Sequence, residues 1–145
     1  MPTVTATSEL PAAPGLGLRL WTDLSRWPTF IDGFGHVVDV SGDWPEPGAK
    51  LVWESGPAGR GRVTERVLES GPDRFVTDLF EDQLVGTQAL RFADGAVEMQ
   101  LDYTLTTGGP LRGLTDVLFI RRALTQALER TLSRFSIEAE DEARL

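Results

Sequence analysis

A chain of 145 residues, 41% hydrophobic and 25% charged, has the composition of one ordinary globular domain, long enough to bury roughly two-thirds of its unfolded surface. The net charge of −8 argues against a general nucleic-acid binder, which carries a basic face, and against electrostatic docking on anionic lipid. The absence of cysteine excludes disulfides, thiolate nucleophiles and thiolate metal sites.

The N-terminus lacks a basic start followed by an apolar run, so no signal peptide is expected, and no stretch reaches the apolar length of a membrane span. The expectation is a cytoplasmic protein whose residues 1–145 form a single domain.

In chain order, Thr3 to Ala6 is rich in β-branched residues and predicts a short first strand. From Leu10 to Leu20 the breakers Pro11, Pro14, Gly15 and Gly17 disfavour a long helix and predict short helical turns, one around Leu18 to Leu24. Trp21, Leu24, Trp27 and Phe30 can pack as one apolar plug, with Pro28 ending the preceding turn. Phe34 to Val40 predicts the second strand, with Phe34, His36, Val38 and Val40 on one parity. After the turn-rich stretch from Gly42 to Gly48 come four strands: Lys50 to Ser55, Arg62 to Glu69, Arg74 to Glu81 and Leu84 to Ala93. Val97 to Thr106 follows, where Val97, Met99, Leu101, Tyr103 and Leu105 alternate with polar residues, as in a strand with one wet face.

The last segment, from about Pro110 to Glu138, predicts a long helix. Leu114, Val117, Ile120, Leu124, Leu128, Leu132 and Phe135 recur at helical spacing, with Ala127 beside them, and Pro110 is suited to a first turn. The acidic tail, 139–145, places negative charge at a helix C-terminus and is expected to fray. An antiparallel meander followed by one amphipathic rod packs best when the sheet curls around the helix. A curved sheet and one rod leave unfilled space, which predicts an internal pocket of the kind that holds small molecules, commonly about 300–1,000 Å³.

This order of elements resembles the α+β helix-grip fold of the START/polyketide cyclase-like superfamily, which includes the pollen-allergen-like proteins. The segment Trp21-x-Asp23-x-x-x-Trp27-Pro28-x-Phe30, the pair Gly86-Thr87 and the helix opening from Asp116 to Arg122 are similar to those of that superfamily. The stretch from Pro11 to Gly17 departs from its regular first helix. The resemblance implies binding or transport of a hydrophobic ligand, or, in some branches, ring closure and aromatisation of polyketides.

Residue by residue, Gly15-x-Gly17 and Gly59-Arg60-Gly61 lack the rest of a nucleotide-binding fingerprint and read as turns. One histidine and no clustered carboxylates of calcium-loop spacing leave no expected metal site, and no cofactor is expected. His36, the only imidazole, is a general acid or base if it faces the pocket, or a hydrogen-bonded strand-end residue otherwise. Glu65, between Val63 and Val67, would be an acid or base facing inward, but a β-bulge would turn it to solvent, and the surface placement is favoured. Tyr103 completes the catalytic candidates and, like Trp53, is either pocket wall or core. The expected ligand-binding set is His36, Trp53, Gln88, Phe92, Met99, Leu101 and Tyr103, with Leu124 and Leu128 from the helix. The partner expected there is a small hydrophobic or amphipathic ligand held without covalent chemistry. The alternatives are a cyclase or aromatase-type enzyme and an interaction protein with no working cavity.

Overall fold

A computed structural model describes residues 2–56, 61–106 and 114–145, with side chains of the last segment from Val117 onward. Seven strands form one antiparallel sheet: β1 (Thr3–Leu10), β2 (Phe34–Ser41), β3 (Lys50–Ser55), β4 (Arg62–Ser70), β5 (Arg74–Phe80), β6 (Leu84–Ala93) and β7 (Gly95–Leu105). Their spatial order is β1-β7-β6-β5-β4-β3-β2, a meander from β2 to β7 that β1 extends at the far edge. A helix, α1 (Pro14–Thr22), and a second short one, α2 (Trp27–Phe30), follow β1, and a long helix, α3 (Leu114–Ala143), ends the chain. This is the helix-grip fold, with the sheet curved around α3.

The alternation expected of β7 holds: Val97, Met99, Leu101 and Tyr103 are buried while Glu98, Gln100 and Asp102 are half-exposed. Gly86 on β6 faces Tyr103, and a Cβ there would lie 2.2 Å from the Asp102 carbonyl oxygen, so the backbones approach too closely for any side chain. The short helices expected after the first strand are present, the first of them α1. Pro14 sits in its first turn, where its fixed φ suits a helix start, and Gly17 packs where a Cβ would press to 2.9 Å from Phe92. Two of the four residues that look like breakers, Pro14 and Gly17, are therefore used by the helix.

The aromatic plug forms as expected and recruits α3: Phe30 and Phe135 lie 5.1 Å apart, and Trp21 lies 5.3 Å from Phe135. Such ring pairs add to the area they bury. Along α3 the stripe is fully buried only from Leu128 through Leu132 and Phe135 to Ala139, whereas Val117, Ile120 and Leu124 are half-buried and Leu118 and Phe119 exposed. The second half of the helix is seated in the core; the first half stands over an opening. The expected start at Pro110 lies outside the described residues.

The helix continues to Ala143, for two physical reasons. Ala139 carries the apolar stripe one turn further, with no exposure. Arg26 donates hydrogen bonds to Glu138 Oε2 at 2.9 Å and Glu142 Oε2 at 3.0 Å, which supplies the positive charge that the helix end needs. No helix among the described residues is long and apolar enough to cross a membrane.

Candidate ligand-binding cavity

A cavity of about 270 Å³ lies between the sheet and the first half of α3. Gln88 and Leu101 form its sheet wall, Ile120, Ala123, Leu124, Ala127 and Leu128 its helix wall, and Asp32, Gly33, Ser55, Gln83 and Phe119 complete the lining. Ala123 and Ala127, one turn apart, stop short where longer side chains would fill the gap. A smaller space of about 30 Å³ continues inward, walled by Trp53, Glu65, Gln88, Met99 and Thr131. The two share Asp32, Gln88, Ala127 and Leu128, so they adjoin.

Gln88 and Glu65 reach the inner space from the sheet, and Asp32 and Thr131 from the turn before β2 and from α3. Thr77 on β5 pairs with Gln88 on β6, which pairs with Leu101 on β7. Glu65 on β4 is 3% exposed, which corrects the expectation of surface placement. The bulge in β4 falls after Val67, so it re-aims the end of the strand and leaves Glu65 facing inward with Val63 and Val67. Its Oε2 accepts from the Trp53 indole Nε1 at 2.8 Å, and its Oε1 from Thr77 Oγ1 at 3.0 Å. Buried polar groups need such partners, and these fix the plane of the carboxylate.

At the rim, Asp32 accepts hydrogen bonds from two nitrogens of Arg130, Nε and Nη2, each at 3.0 Å, and from Arg134 Nη1 at 3.2 Å. Its own backbone N–H donates to Thr131 Oγ1. The hydrogen-bonded Arg130 guanidinium holds the Asp32 carboxyl below the usual carboxylate range, against the opposing effect of partial burial.

The expected site residues divide into three groups. Gln88, Met99, Leu101, Leu124, Leu128 and Trp53 line one or both spaces. Phe92 and Tyr103 are buried and line neither; Phe92 packs toward Phe135 at the other end of the core, 6.1 Å away. His36 is turned to solvent, its side chain 67% exposed and its Nε2 3.6 Å from Glu54 Oε2. The reason is two register shifts in β2, between Phe34 and His36 and between Val37 and Asp39. Each adds a residue and reverses the parity, so Phe34 and Val37 turn toward the core in place of His36 and Val38.

Sequence reasoning missed Asp32, Thr131 and Thr77. Thr131 had a signal, a hydroxyl inside the apolar stretch of α3, and Ala123 with Ala127 marked the thin face of the helix. Asp32 lies in a turn where no periodicity applies. Among the described residues, no three histidine, aspartate or glutamate side chains are grouped to hold a metal ion.

At the level of sequence, no family model and no curated protein matches the chain. Solved structures do resemble it. The TTHA0849 protein of Thermus thermophilus superposes with a TM-score of 0.72 at 18% identity, over 98% of this chain and 99% of that one. StfQ, a di-domain ARO/CYC of the steffimycin biosynthetic pathway, gives 0.74 at 14% identity, over 99% of this chain and 52% of that one. Norcoclaurine synthase of Thalictrum flavum gives 0.68 at 11% identity, over 97% and 87%. Identities this low show the fold alone, and that fold is the helix-grip one.

Proposed function

We propose that this protein binds one small hydrophobic or amphipathic molecule in the cavity between the sheet and α3. The observation that carries this is the gap itself: about 270 Å³ held open beneath the half-buried part of the helix, with an apolar lining and a few polar groups. Its size is just below the common range for small-molecule sites, which suits a compact ligand. The fold also supports it, since the solved norcoclaurine synthase holds dopamine and hydroxybenzaldehyde. Binding would be driven by removal of apolar surface from water, with Gln88 and the inner polar groups setting orientation.

The test is a titration with N-phenyl-1-naphthylamine, an apolar dye that fluoresces on leaving water. The wild-type protein is expected to bind it. Leu124→Trp, which fills the cavity from the helix side, is expected to weaken binding at least tenfold while the far-ultraviolet dichroism stays native. Equal binding by both proteins would sink the proposal.

One observation favours a cyclase or aromatase-type enzyme as the second reading. Glu65 and Gln88 converge on the inner space, so a substrate there would meet an acid–base group beside a neutral orienting one. His36 has no part in it. Ring closure of a poly-β-ketone thioester mimic by wild type and not by Glu65→Gln would support this reading; an unchanged mimic counts against it.

A further inference from the structure

Gln88 stands where the two spaces meet: it lines both, and it is 6% exposed. Its neighbours leave the side-chain amide alone. On the adjoining strands, Thr77 donates its hydroxyl to Glu65 Oε1 at 3.0 Å, and Leu101 is apolar. Across the gap on α3, Ala127 and Leu128 carry no polar side-chain atom. Thr131, the α3 hydroxyl at the inner space, accepts the Asp32 backbone N–H. Among the described residues, nothing hydrogen-bonds the Gln88 amide. Neither of its two polar atoms is sealed in, since the one enclosed side-chain polar atom without a partner among the described residues is Trp21 Nε1. Both therefore open onto the cavity. Buried amides are rarely left unpaired, so these atoms take their partners from what fills the cavity, water or ligand. Whichever way round the amide lies, one atom donates and the one beside it accepts. A guest with an acceptor alone, or with neither group, displaces that water and replaces at most one of its bonds, which loses affinity. A lactam carries N–H and C=O side by side on one edge and answers both atoms with two parallel hydrogen bonds.

We infer that the cavity selects a neutral guest with a hydrogen-bond donor beside an acceptor, a lactam or carboxamide edge on a compact apolar body, with Gln88 as the specificity-determining residue. The polar edge lies between Gln88 and Ala127, and the apolar body lies outward against Leu101, Ile120 and Leu124. This inference rests on the proposed binding function and narrows its ligand class.

Three fused-ring probes of nearly one shape test it. Dihydrocarbostyril is a lactam, 2-tetralone has CH2 in place of its N–H, and tetralin has neither polar group. Each is titrated calorimetrically into the full chain and into Gln88→Met, which keeps the side chain's length and removes the amide. The substitution is expected to weaken dihydrocarbostyril at least about tenfold, 2-tetralone less, and tetralin by less than about twofold. A loss for 2-tetralone or tetralin as large as that for dihydrocarbostyril, or no loss at all, overturns the inference and leaves the proposed function standing. The same holds if the dye binds and none of the three probes does. If neither probes nor dye bind, both fall. Should Gln88→Met not fold, the wild-type protein decides by NMR. Bound dihydrocarbostyril is expected to show a nuclear Overhauser contact between its N–H and the Gln88 side-chain NH2, and a bound lactam without that contact overturns the inference.

Discussion

Asp32 is the residue where charge, architecture and pH meet. It joins the turn before β2 to α3 through Arg130 and Arg134, and its backbone is tied to Thr131, so it fixes the helix relative to the cavity rim. Its folded-state pKa is lowered, chiefly by the Arg130 hydrogen bond. A lowered carboxylate contributes stability that is complete above its unfolded value, about 3.9, and is lost as pH falls through the folded value. Asp32→Asn removes that titration. Urea-denaturation midpoints of wild type and Asp32→Asn should therefore differ by a constant amount from about pH 7 to about pH 5, and the gap should shrink below about pH 4. A gap that persists unchanged in acid would mean that the carboxylate's charge is not what joins turn and helix. Surface exposure of the arginines keeps the effect modest.

Elements differ in how far their sequences revealed them. The inward residues of β7 were legible because an uninterrupted strand converts alternation directly into faces. In β2 the same rule failed after one residue, because bulges break the period and leave no mark in composition. Gly35 gave a faint signal: a Cβ there would sit 2.6 Å from the Glu54 carbonyl oxygen, where the bulge crowds the backbones. For α1, the proline and glycine that suggest a break serve as first turn and close contact, a distinction that only the packing partner Phe92 supplies. The helical path at the acidic end of α3 was not legible because the cation beside it, Arg26, is remote in sequence. That explanation has a consequence. Arg26→Ala should leave global stability within about 1 kcal/mol, since the pair is partly exposed, yet speed hydrogen exchange at the amides of the last two turns, up to Ala143. Unchanged exchange there would leave the burial of Ala139 as the sole cause of the helix extension.

Across the whole molecule, the hollow follows from how α3 divides its contacts. Leu128, Leu132 and Phe135 hold the helix in the core, while its first half is carried over the sheet on small residues. Filling the gap would give more burial, so a chain that leaves it open sacrifices some stability that an occupant can restore. Mass action sets the size of that restoration: a ligand that binds only the folded chain, at a free concentration one hundred times its dissociation constant, stabilises by about 2.7 kcal/mol. A domain of this length gains roughly 2–4 °C in melting temperature for each kcal/mol. Saturating N-phenyl-1-naphthylamine should thus raise the wild-type melting temperature by about 5–10 °C. Leu124→Trp should show little or no such rise, because its indole already occupies the space. The comparison separates cavity occupation from adsorption of the dye to the surface. The net charge of −8 is the same in both proteins, so adsorption would act on both alike. Equal shifts would place the dye on the outside and leave the interior with no demonstrated guest.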